Sequence, residues 1–336
     1  MILGQIMSKD NIATQFRGLK GQYARLGSNI VDALKIFLDE HGIPYVDIYS
    51  RVKSFDSFYE KIDRKKYSNP FDEIEDICGI RVICYYFSDI ERINAIIQNE
   101  FTILESQDKS ELLGLKEFAY RSQHYIVKLN NNWLLAPNYR RLDGLKAEVQ
   151  VRTILMHAWA EIEHKLNYKS DAQVPEIFQR KLFRLSAKLE EADEQFIELK
   201  DGIDAYREEL KEQLDSKNAF DLTQSLNRDS FITFMQYCFP DYSEFDFSFI
   251  DRSFEMASEK YSNFEPIYSA FKLVEKYIDD IANDLLVSGY PNDIRHNPSE
   301  IIAMASDICN LSESDLEGKV DSWIEVVVRW KNKLNH

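Results

Sequence analysis

Strand-like alternation is confined to the first half of this chain. Segments in which apolar and polar residues alternate, such as "EVQVRT" at 148–153, precede residue 154, and helical spacing takes over from 175 onward. Only 11 Gly and 8 Pro occur among 336 residues, a composition that favours helix. This order predicts an α+β fold, in which one small mixed β-sheet flanked by helices precedes an all-helical C-terminal region.

Local patterns predict the individual elements. Two helices are expected at about 8–24 and 27–41. The segment "VDIYSRVKS" alternates like a strand and brings Arg51 and Lys53 to one face. "IRVICYYF" is apolar on both faces, which is typical of a strand inside a sheet. The strand "EVQVRT" leads into a helix that Thr153 can cap.

Cysteine usage and apolar runs indicate the compartment. The four cysteines lie far apart or inside apolar runs with no C-x-x-C spacing, as buried thiols of a reducing compartment do. No apolar run approaches the roughly 18 residues that cross a bilayer, and "MILGQIMSKD" lacks the basic start of a signal peptide. We therefore expect a soluble cytoplasmic protein with no membrane partner.

Charge is distributed unevenly along the chain. Residues 201–336 contain 27 acidic and 13 basic side chains, a charge of −14 out of −16 for the whole chain. A basic cluster in the N-terminal part consists of Arg51, Lys53, Lys61, Arg64, Lys65 and Lys66. A local positive field beside an acidic half suits a compact polyphosphate better than DNA or another long nucleic acid.

Three groups of polar residues lie on predicted strands or at their ends. They are Arg51 with Lys53, Asp76 with Arg81, and Glu148 with Gln150 and Arg152. Each group alone is also compatible with a solvated strand edge. Together they bring two carboxylates close to several cations, and two carboxylates with phosphate oxygens are usual ligands of Mg²⁺. The sequence contains no Walker loop or kinase glycine loop, so side chains on strands would hold the phosphates during phosphoryl or pyrophosphoryl transfer.

These residues fall in four ordered motifs that resemble those of the RelA/SpoT synthetase domain, which makes guanosine tetra- and pentaphosphate. The motifs are "RVKSFDSFYEK", "DICGIRVI", "YRSQH" and "EVQVRT…WAEIEHKLNYK". The resemblance extends from about Val46 to Lys169. It implies a nucleotidyltransferase-like sheet. It also divides the chain into N-terminal helices (1–45), a synthetase domain (46–172) and a helical regulatory or oligomerisation region (173–336).

The resemblance implies a role for each matching residue. The donor ATP would be bound by Arg51, Lys53, Lys61 and Arg81. The two arginines would stack on adenine and the two lysines would hold phosphates. Asp76 and Glu148 would bind Mg²⁺, and Glu148 would also take the proton from the acceptor's ribose 3′-hydroxyl. The acceptor nucleotide would be bound by Lys116, Tyr120, His124, Gln150 and Arg152.

Two departures from the family pattern concern the acceptor side. The loop "DKSELLGLKEFAY" has Ala119 in place of the family's glycine, and His157 stands where small synthetases often have Asn or Asp. His157, Glu161 and His164 share a helical face, as a metal triad would. The second copy of E-x-x-H that a carboxylate-bridged metal bundle needs is missing, so we expect this face to support the sheet or the site.

The leading hypothesis is a pyrophosphokinase that transfers the β,γ-diphosphate of ATP to the 3′-hydroxyl of GDP or GTP. The altered acceptor loop leaves open a toxin-like relative that modifies the 3′ end of tRNA, and a non-catalytic nucleotide-binding regulator is the third hypothesis. The chain contains no His-Asp dipeptide, so no hydrolase activity is expected. The C-terminal region is expected to regulate the catalytic domain or to form a homo-oligomer.

Overall fold

The structure, a computed structural model, contains two compact units, Met1–Asp201 and Gly202–His336. Each unit has a hydrophobic core of its own. The division lies within the long helix Glu176–Lys217, and the domain border at 172/173 stays a prediction. The structure describes residues 8–108, 123–167, 175–217, 219–240, 247–310 and 320–334.

A five-stranded mixed sheet forms the centre of the first unit. Its strands are β1 (Tyr45–Val52), β2 (Cys78–Cys84), β3 (Phe101–Asp108), β4 (Gln123–Leu129) and β5 (Ala147–Thr153). Their order is β1-β2-β5-β4-β3, with β2 and β5 parallel and the other neighbouring pairs antiparallel. The mixed sheet flanked by helices, with "IRVICYYF" supplying the internal strand β2, confirms the sequence prediction.

Helices precede, connect and follow the strands of this sheet along the chain. They are α1 (Lys9–Glu40), α2 (Phe55–Lys65), α3 (Pro70–Glu73), α4 (Phe87–Glu100), α5 (Ile154–Asn167) and α6 (Glu176–Lys217), of which α6 continues into the second unit. The predicted cap of α5 is present, because Thr153 Oγ1 accepts a hydrogen bond from the Met156 amide at 3.1 Å. The same hydroxyl donates to Asp193 of α6 at 2.7 Å, which fastens α6 to the end of β5.

The two predicted N-terminal helices are in fact one continuous helix, so the predicted break near residue 25 is wrong. The prediction ended the first helix at about residue 24 and began the second at about residue 27. Gly27 instead lies inside α1, where the helix meets the sheet. A Cβ at this position would lie 2.8 Å from Ser50 Cβ and 3.1 Å from Cys78 Sγ. Glycine is therefore required for close packing rather than for a turn.

The two faces of the sheet differ in chemistry. Alternate residues of β2 and β5, including Ile80 and Val149, are fully buried in a core that also contains Leu34 of α1 and Ile93 of α4. Most of the intervening residues, such as Arg81, lie on the opposite face and are only partly buried. The apolar face therefore holds the unit together and leaves the other face free to carry polar side chains.

The described part of the second unit is helical, as predicted. Beyond α6 its helices are α7 (Arg228–Cys238), α8 (Phe247–Lys260), α9 (Glu265–Val274), α10 (Ile278–Val287), α11 (Pro298–Asn310) and α12 (Asp321–Leu334). Aromatic side chains dominate its core, with Phe231, Phe234, Phe264 and Trp330 almost fully buried. Within the six described ranges, no helix has the length and apolar character needed to cross a bilayer.

Candidate active site

Three neighbouring strands place the predicted site residues in register on the polar face. Arg51 of β1 lies opposite Gly79 of β2, and Gly79 lies opposite Glu148 of β5. One step along, Arg81 lies opposite Gln150. Gly79 has no side chain, and a Cβ there would approach nothing closer than the Arg51 carbonyl oxygen at 3.9 Å. Gly79 therefore leaves space on the sheet surface between Arg51 and Glu148.

Asp76 lies just before β2 and is bound by two lysines. Its Oδ2 lies 2.6 Å from Lys53 Nζ and 3.0 Å from Lys61 Nζ. The backbone amide of Lys53 donates to the Ile77 carbonyl at 2.9 Å, which fixes the end of β1 beside this carboxylate. Asp76 Oδ1 is buried and has no hydrogen-bond partner among the described residues. One oxygen of this carboxylate is thus compensated, and the other remains available to a ligand.

Glu148 is bound by two side chains from the sheet itself. Its Oε1 lies 2.8 Å from Nδ1 of the buried His124, and its Oε2 accepts a hydrogen bond from Gln150 Nε2 at 2.8 Å. His124 faces Gln150 across β4 and β5, so the strand register determines this contact. These two contacts, one to each oxygen, hold the Glu148 carboxylate in one orientation.

Two cavities lie on this polar face and share both carboxylates. The first cavity, of about 270 Å³, is lined by residues that include Arg51, Lys53, Asp76, Arg81, Glu148 and Gln150. The second cavity, of about 150 Å³, is lined by residues that include Lys61, Asp76, Glu105, His124 and Glu148. Asp76 and Glu148 therefore stand where the two cavities meet.

Arg81 is held from two sides. Its guanidinium donates to the Tyr49 hydroxyl at 3.0 Å and to Glu161 Oε1 of α5 at 2.5 Å. Burial alone would lower the pKa of Arg81, but the hydrogen bonds and charges of Tyr49 and Glu161 outweigh it and raise that pKa. Partial burial also opposes ionisation of Glu161, and its hydrogen bond to Arg81 nonetheless brings the pKa of Glu161 below its usual value.

Arg152 and His157 lie beside this ion pair. Burial, and then the charge of Arg81, lowers the pKa of Arg152, whose Nε is buried with no partner in the described part of the chain. Burial is also the main reason why the pKa of His157 is lowered, and its ring packs edge-on against Tyr49. The expected supporting role of the α5 face agrees with these contacts.

The structure brings most of the predicted residues together, and it also shows contacts that the sequence did not predict. Lys116 and Tyr120 lie outside the described residues. The unpredicted residues are Tyr49, which is two positions from Arg51 on the same strand face, and Glu161 as a partner of Arg81. The two-residue spacing could have identified Tyr49, whereas the Glu161 contact depends on how α5 packs against the sheet.

The donor set at the shared edge of the cavities fits Mg²⁺. The described residues contain no group of three or more His, Cys, Asp or Glu side chains arranged around a common point, as a closed metal site would require. Mg²⁺ commonly takes one or two carboxylates and fills its other positions with water and phosphate oxygens. Asp76 Oδ1 is a buried oxygen without a partner, and Glu148 lines the same two cavities. These two carboxylates would hold the ion.

Comparison with known proteins places residues 50–173 in the family described as "Region found in RelA / SpoT proteins". Two relatives from Bacillus subtilis (strain 168) are named GTP pyrophosphokinase YjbM and GTP pyrophosphokinase YwaC. YjbM is 35% identical over 173 residues, which covers 49% of this chain and 76% of the relative. YwaC is 33% identical over 159 residues, which covers 46% of this chain and 73% of the relative.

A solved structure gives a similar picture at lower identity. The crystal structure of the small alarmone synthetase 1 from Bacillus subtilis is 28% identical and has a TM-score of 0.49. The match covers 57% of this chain and 98% of the solved chain. The family match at residues 50–173 spans β2, β3, β4 and β5 and the end of β1.

Proposed function

Because the chain belongs to the RelA/SpoT family, we propose that it is a GTP pyrophosphokinase, an enzyme that transfers the β,γ-diphosphate of ATP to the ribose 3′-hydroxyl of GDP or GTP. The family match and the two relatives confirm the resemblance that the four motifs indicated. The observation that carries the proposal is the pair of adjoining cavities that share Asp76 and Glu148. A diphosphate group bound between them would face both substrates.

The first cavity suits the donor ATP. Its lining includes three cations, Arg51, Lys53 and Arg81, in a space large enough for part of a nucleotide. Planar guanidinium groups stack on bases, and a lysine ammonium pairs with phosphate oxygens. We assign the adenine to the two arginines and the phosphates to Lys53, with Lys61 reaching them from the second cavity.

We assign the ribose of the acceptor to the second cavity, because carboxylates accept hydrogen bonds from hydroxyl groups. The carboxylates of its lining are Glu73, Glu75, Asp76, Glu105 and Glu148. His124 and Glu148 line it, and Glu148 also lines the first cavity, so this carboxylate can meet an acceptor hydroxyl on one side and the donor on the other. The contacts from His124 and Gln150 leave Glu148 in a fixed orientation. We assign Glu148 as the base that takes the proton of the 3′-hydroxyl.

The reaction then follows from these positions. The acceptor 3′-oxygen attacks the β-phosphorus of ATP, the bond from that phosphorus to the oxygen bridging to the α-phosphorus breaks, and AMP leaves. The hydroxyl proton goes to Glu148. Lys53 and Lys61 counter the negative charge of the phosphates during the transfer. Mg²⁺, when bound by Asp76 and Glu148, supplies further charge neutralisation at the phosphate oxygens.

An assay with three acceptors tests the proposal. The full-length protein is incubated with labelled ATP and Mg²⁺ in the presence of GDP, GTP or uncharged tRNA, and the products are separated. We expect 3′-pyrophosphorylated GDP or GTP together with AMP. Label on tRNA alone would favour the toxin-like alternative, against which the charge of −14 in residues 201–336 argues. Nucleotide binding without any product would overturn the proposal.

We also propose that the helical second unit regulates the catalytic unit or assembles the chain into a homo-oligomer. Its support is that residues 202–336 have an aromatic core separate from the sheet. The mass of the full-length chain in solution, measured with and without ATP and GDP, tests the oligomer. A monomer under both conditions would leave regulation as the role of this unit.

A further inference from the structure

The ion pair between Arg81 and Glu161 connects the sheet with the helix that follows it. Arg81 lies on β2 and lines the first cavity, where it is proposed to contact adenine. Glu161 lies on α5 and is not among the residues that line that cavity. Their contact of 2.5 Å joins a charged group that lines the proposed donor cavity to a carboxylate outside that lining.

The charges around Arg81 explain why such a carboxylate is needed. Arg152 lies close enough for the two guanidinium groups to repel each other, and this repulsion adds to burial in lowering the pKa of Arg152. The Arg152 Nε has no hydrogen-bond partner within the described residues. Glu161 offsets part of this positive charge, since it acts on both arginines and on His157. Loss of the Glu161 charge would leave the repulsion between the two arginines less balanced.

Exposure of the pair indicates what it contributes. The side chain of Glu161 is 49% exposed and that of Arg81 is 31% exposed. Ion pairs with this much access to water add little to the free energy of folding. A stacked guanidinium, in contrast, is useful only when its plane has the correct orientation. The Tyr49 hydroxyl and the Glu161 carboxylate together define that orientation, because both accept from the same Arg81 nitrogen.

We infer that Glu161 is a positioning residue for the donor nucleotide, which acts through Arg81 by holding its guanidinium plane against the adenine. This inference rests on the proposed function, because it requires ATP in the first cavity. It makes α5 a part of the donor site, whose predicted ATP-binding residues lie on or just after β1, on α2 and on β2. It also gives Arg152 an electrostatic effect on Arg81, in addition to its predicted place on the acceptor side.

Steady-state kinetics of Glu161→Gln test the inference. The amide keeps the size of the side chain and removes its charge. We expect the KM for ATP to rise about tenfold, the size of effect expected when a charge-assisted contact is lost, while the KM for GDP and kcat remain within about twofold. The matched control is Glu163→Gln on the same helix, for which both KM values should stay unchanged. Thermal unfolding of both variants excludes a general loss of structure.

A double-mutant cycle with Arg81→Ala distinguishes action through Arg81 from a direct effect. If Glu161 acts through Arg81, Glu161→Gln changes the KM for ATP in the wild-type background and has little further effect when Arg81 is already absent. Equal effects in both backgrounds, or an unchanged KM for ATP in the single variant, would overturn the inference. Absence of product from the wild-type protein in the same assay would instead contradict the proposed function.

Discussion

At the scale of single residues, the two carboxylates of the site are bound in different ways. Asp76 is compensated on one oxygen by two lysines, whereas both oxygens of Glu148 are oriented by His124 and Gln150. The first arrangement leaves an oxygen for a cation. The second fixes the direction in which a proton can be accepted. The two residues of the same chemical type can therefore serve different steps.

Replacement of Glu148 by Gln should remove the proposed base without changing the shape of the site. We expect kcat to fall by a factor of about 10² to 10⁴, the usual contribution of a positioned base. The melting temperature should change little, because the amide can still bond to His124 or Gln150. Glu91→Gln on α4, at an exposed position, is the control that should keep full activity. Undiminished kcat in Glu148→Gln would remove this residue from the chemistry.

His157 should make the stability of the first unit depend on pH. Burial lowers its pKa in the folded state, and Arg81 and Arg152 lower it further, while Glu161 and Asp47 oppose the shift. The unfolded chain therefore binds a proton more readily than the folded chain. Above about pH 6.5, the usual pKa of histidine, His157 is neutral in both states and does not reduce the free energy of unfolding. As the pH falls below that value, protonation of the unfolded chain lowers the free energy of unfolding.

Urea unfolding between pH 5 and pH 8 measures this effect. The free energy of unfolding of the wild-type protein should decrease on acidification through this range, and His157→Gln should show a smaller decrease because Gln does not titrate. Identical pH profiles for the two proteins would show that the pKa of His157 is the same in the folded and the unfolded chain.

Most of the residues that line the first cavity could be predicted from the sequence. Arg51, Arg81 and Glu148 lie on strands, and a two-residue period assigns such residues to one face whatever the distant packing. The contact of Glu161 with Arg81 could not be predicted in this way, because it depends on the angle at which α5 leaves β5. The register that brings His124 to Glu148 likewise arises from pairing between strands.

At the scale of elements, α1 shows how one close contact determines a helix. The sequence predicted two helices that meet near Gly27, whereas the structure has one continuous helix. Tertiary packing explains the residue, because the helix approaches β1 and β2 so closely that no side chain fits. The strands β1, β2 and β5 and the helical character from residue 175 onward were predicted correctly, since each prediction rests on a pattern that several residues share. The error occurred near Gly27, where the contact of the helix with distant residues of the sheet cannot be recognised in the local sequence.

Two alanine substitutions on α1 should have opposite effects. Gly27→Ala would place a Cβ 2.8 Å from Ser50 Cβ, and overpacking of this kind costs about 1–3 kcal/mol, more than the helix propensity gained. Gly21→Ala meets nothing within 4 Å and should stabilise the helix by about 0.5–1 kcal/mol. Urea denaturation of the two variants measures both changes. Stabilisation by Gly27→Ala would contradict the close packing.

At the scale of the whole molecule, the chain has two separate cores. One contains Leu34 of α1 and the apolar face of the sheet, and the other contains Phe264 and the aromatic residues of the second unit. The change from strand-like to helical patterns predicted this difference in composition. The division at Asp201 and Gly202, inside a continuous helix, has no signal in the local sequence, since helical spacing persists across it.

Two cores of this kind should unfold as two cooperative units. Leu34→Ala should destabilise the sheet-containing unit by about 2–5 kcal/mol, and Phe264→Ala should destabilise the second unit by about 3–5 kcal/mol. Calorimetry should show that each change lowers the temperature of one transition and leaves the other in place. A single transition that shifts with either substitution would show that the units unfold together.

The central claim is that this protein transfers a diphosphate group, and the position of a label in ATP tests it most directly. ATP labelled in the β-phosphate and ATP labelled in the α-phosphate are each incubated with GDP, Mg²⁺ and the full-length protein. Attack at the β-phosphorus predicts that β-label appears in the guanine nucleotide, that α-label remains in AMP, and that one AMP forms for each product. Transfer of the α-label, or release of ADP with only the γ-phosphate transferred, would contradict the account.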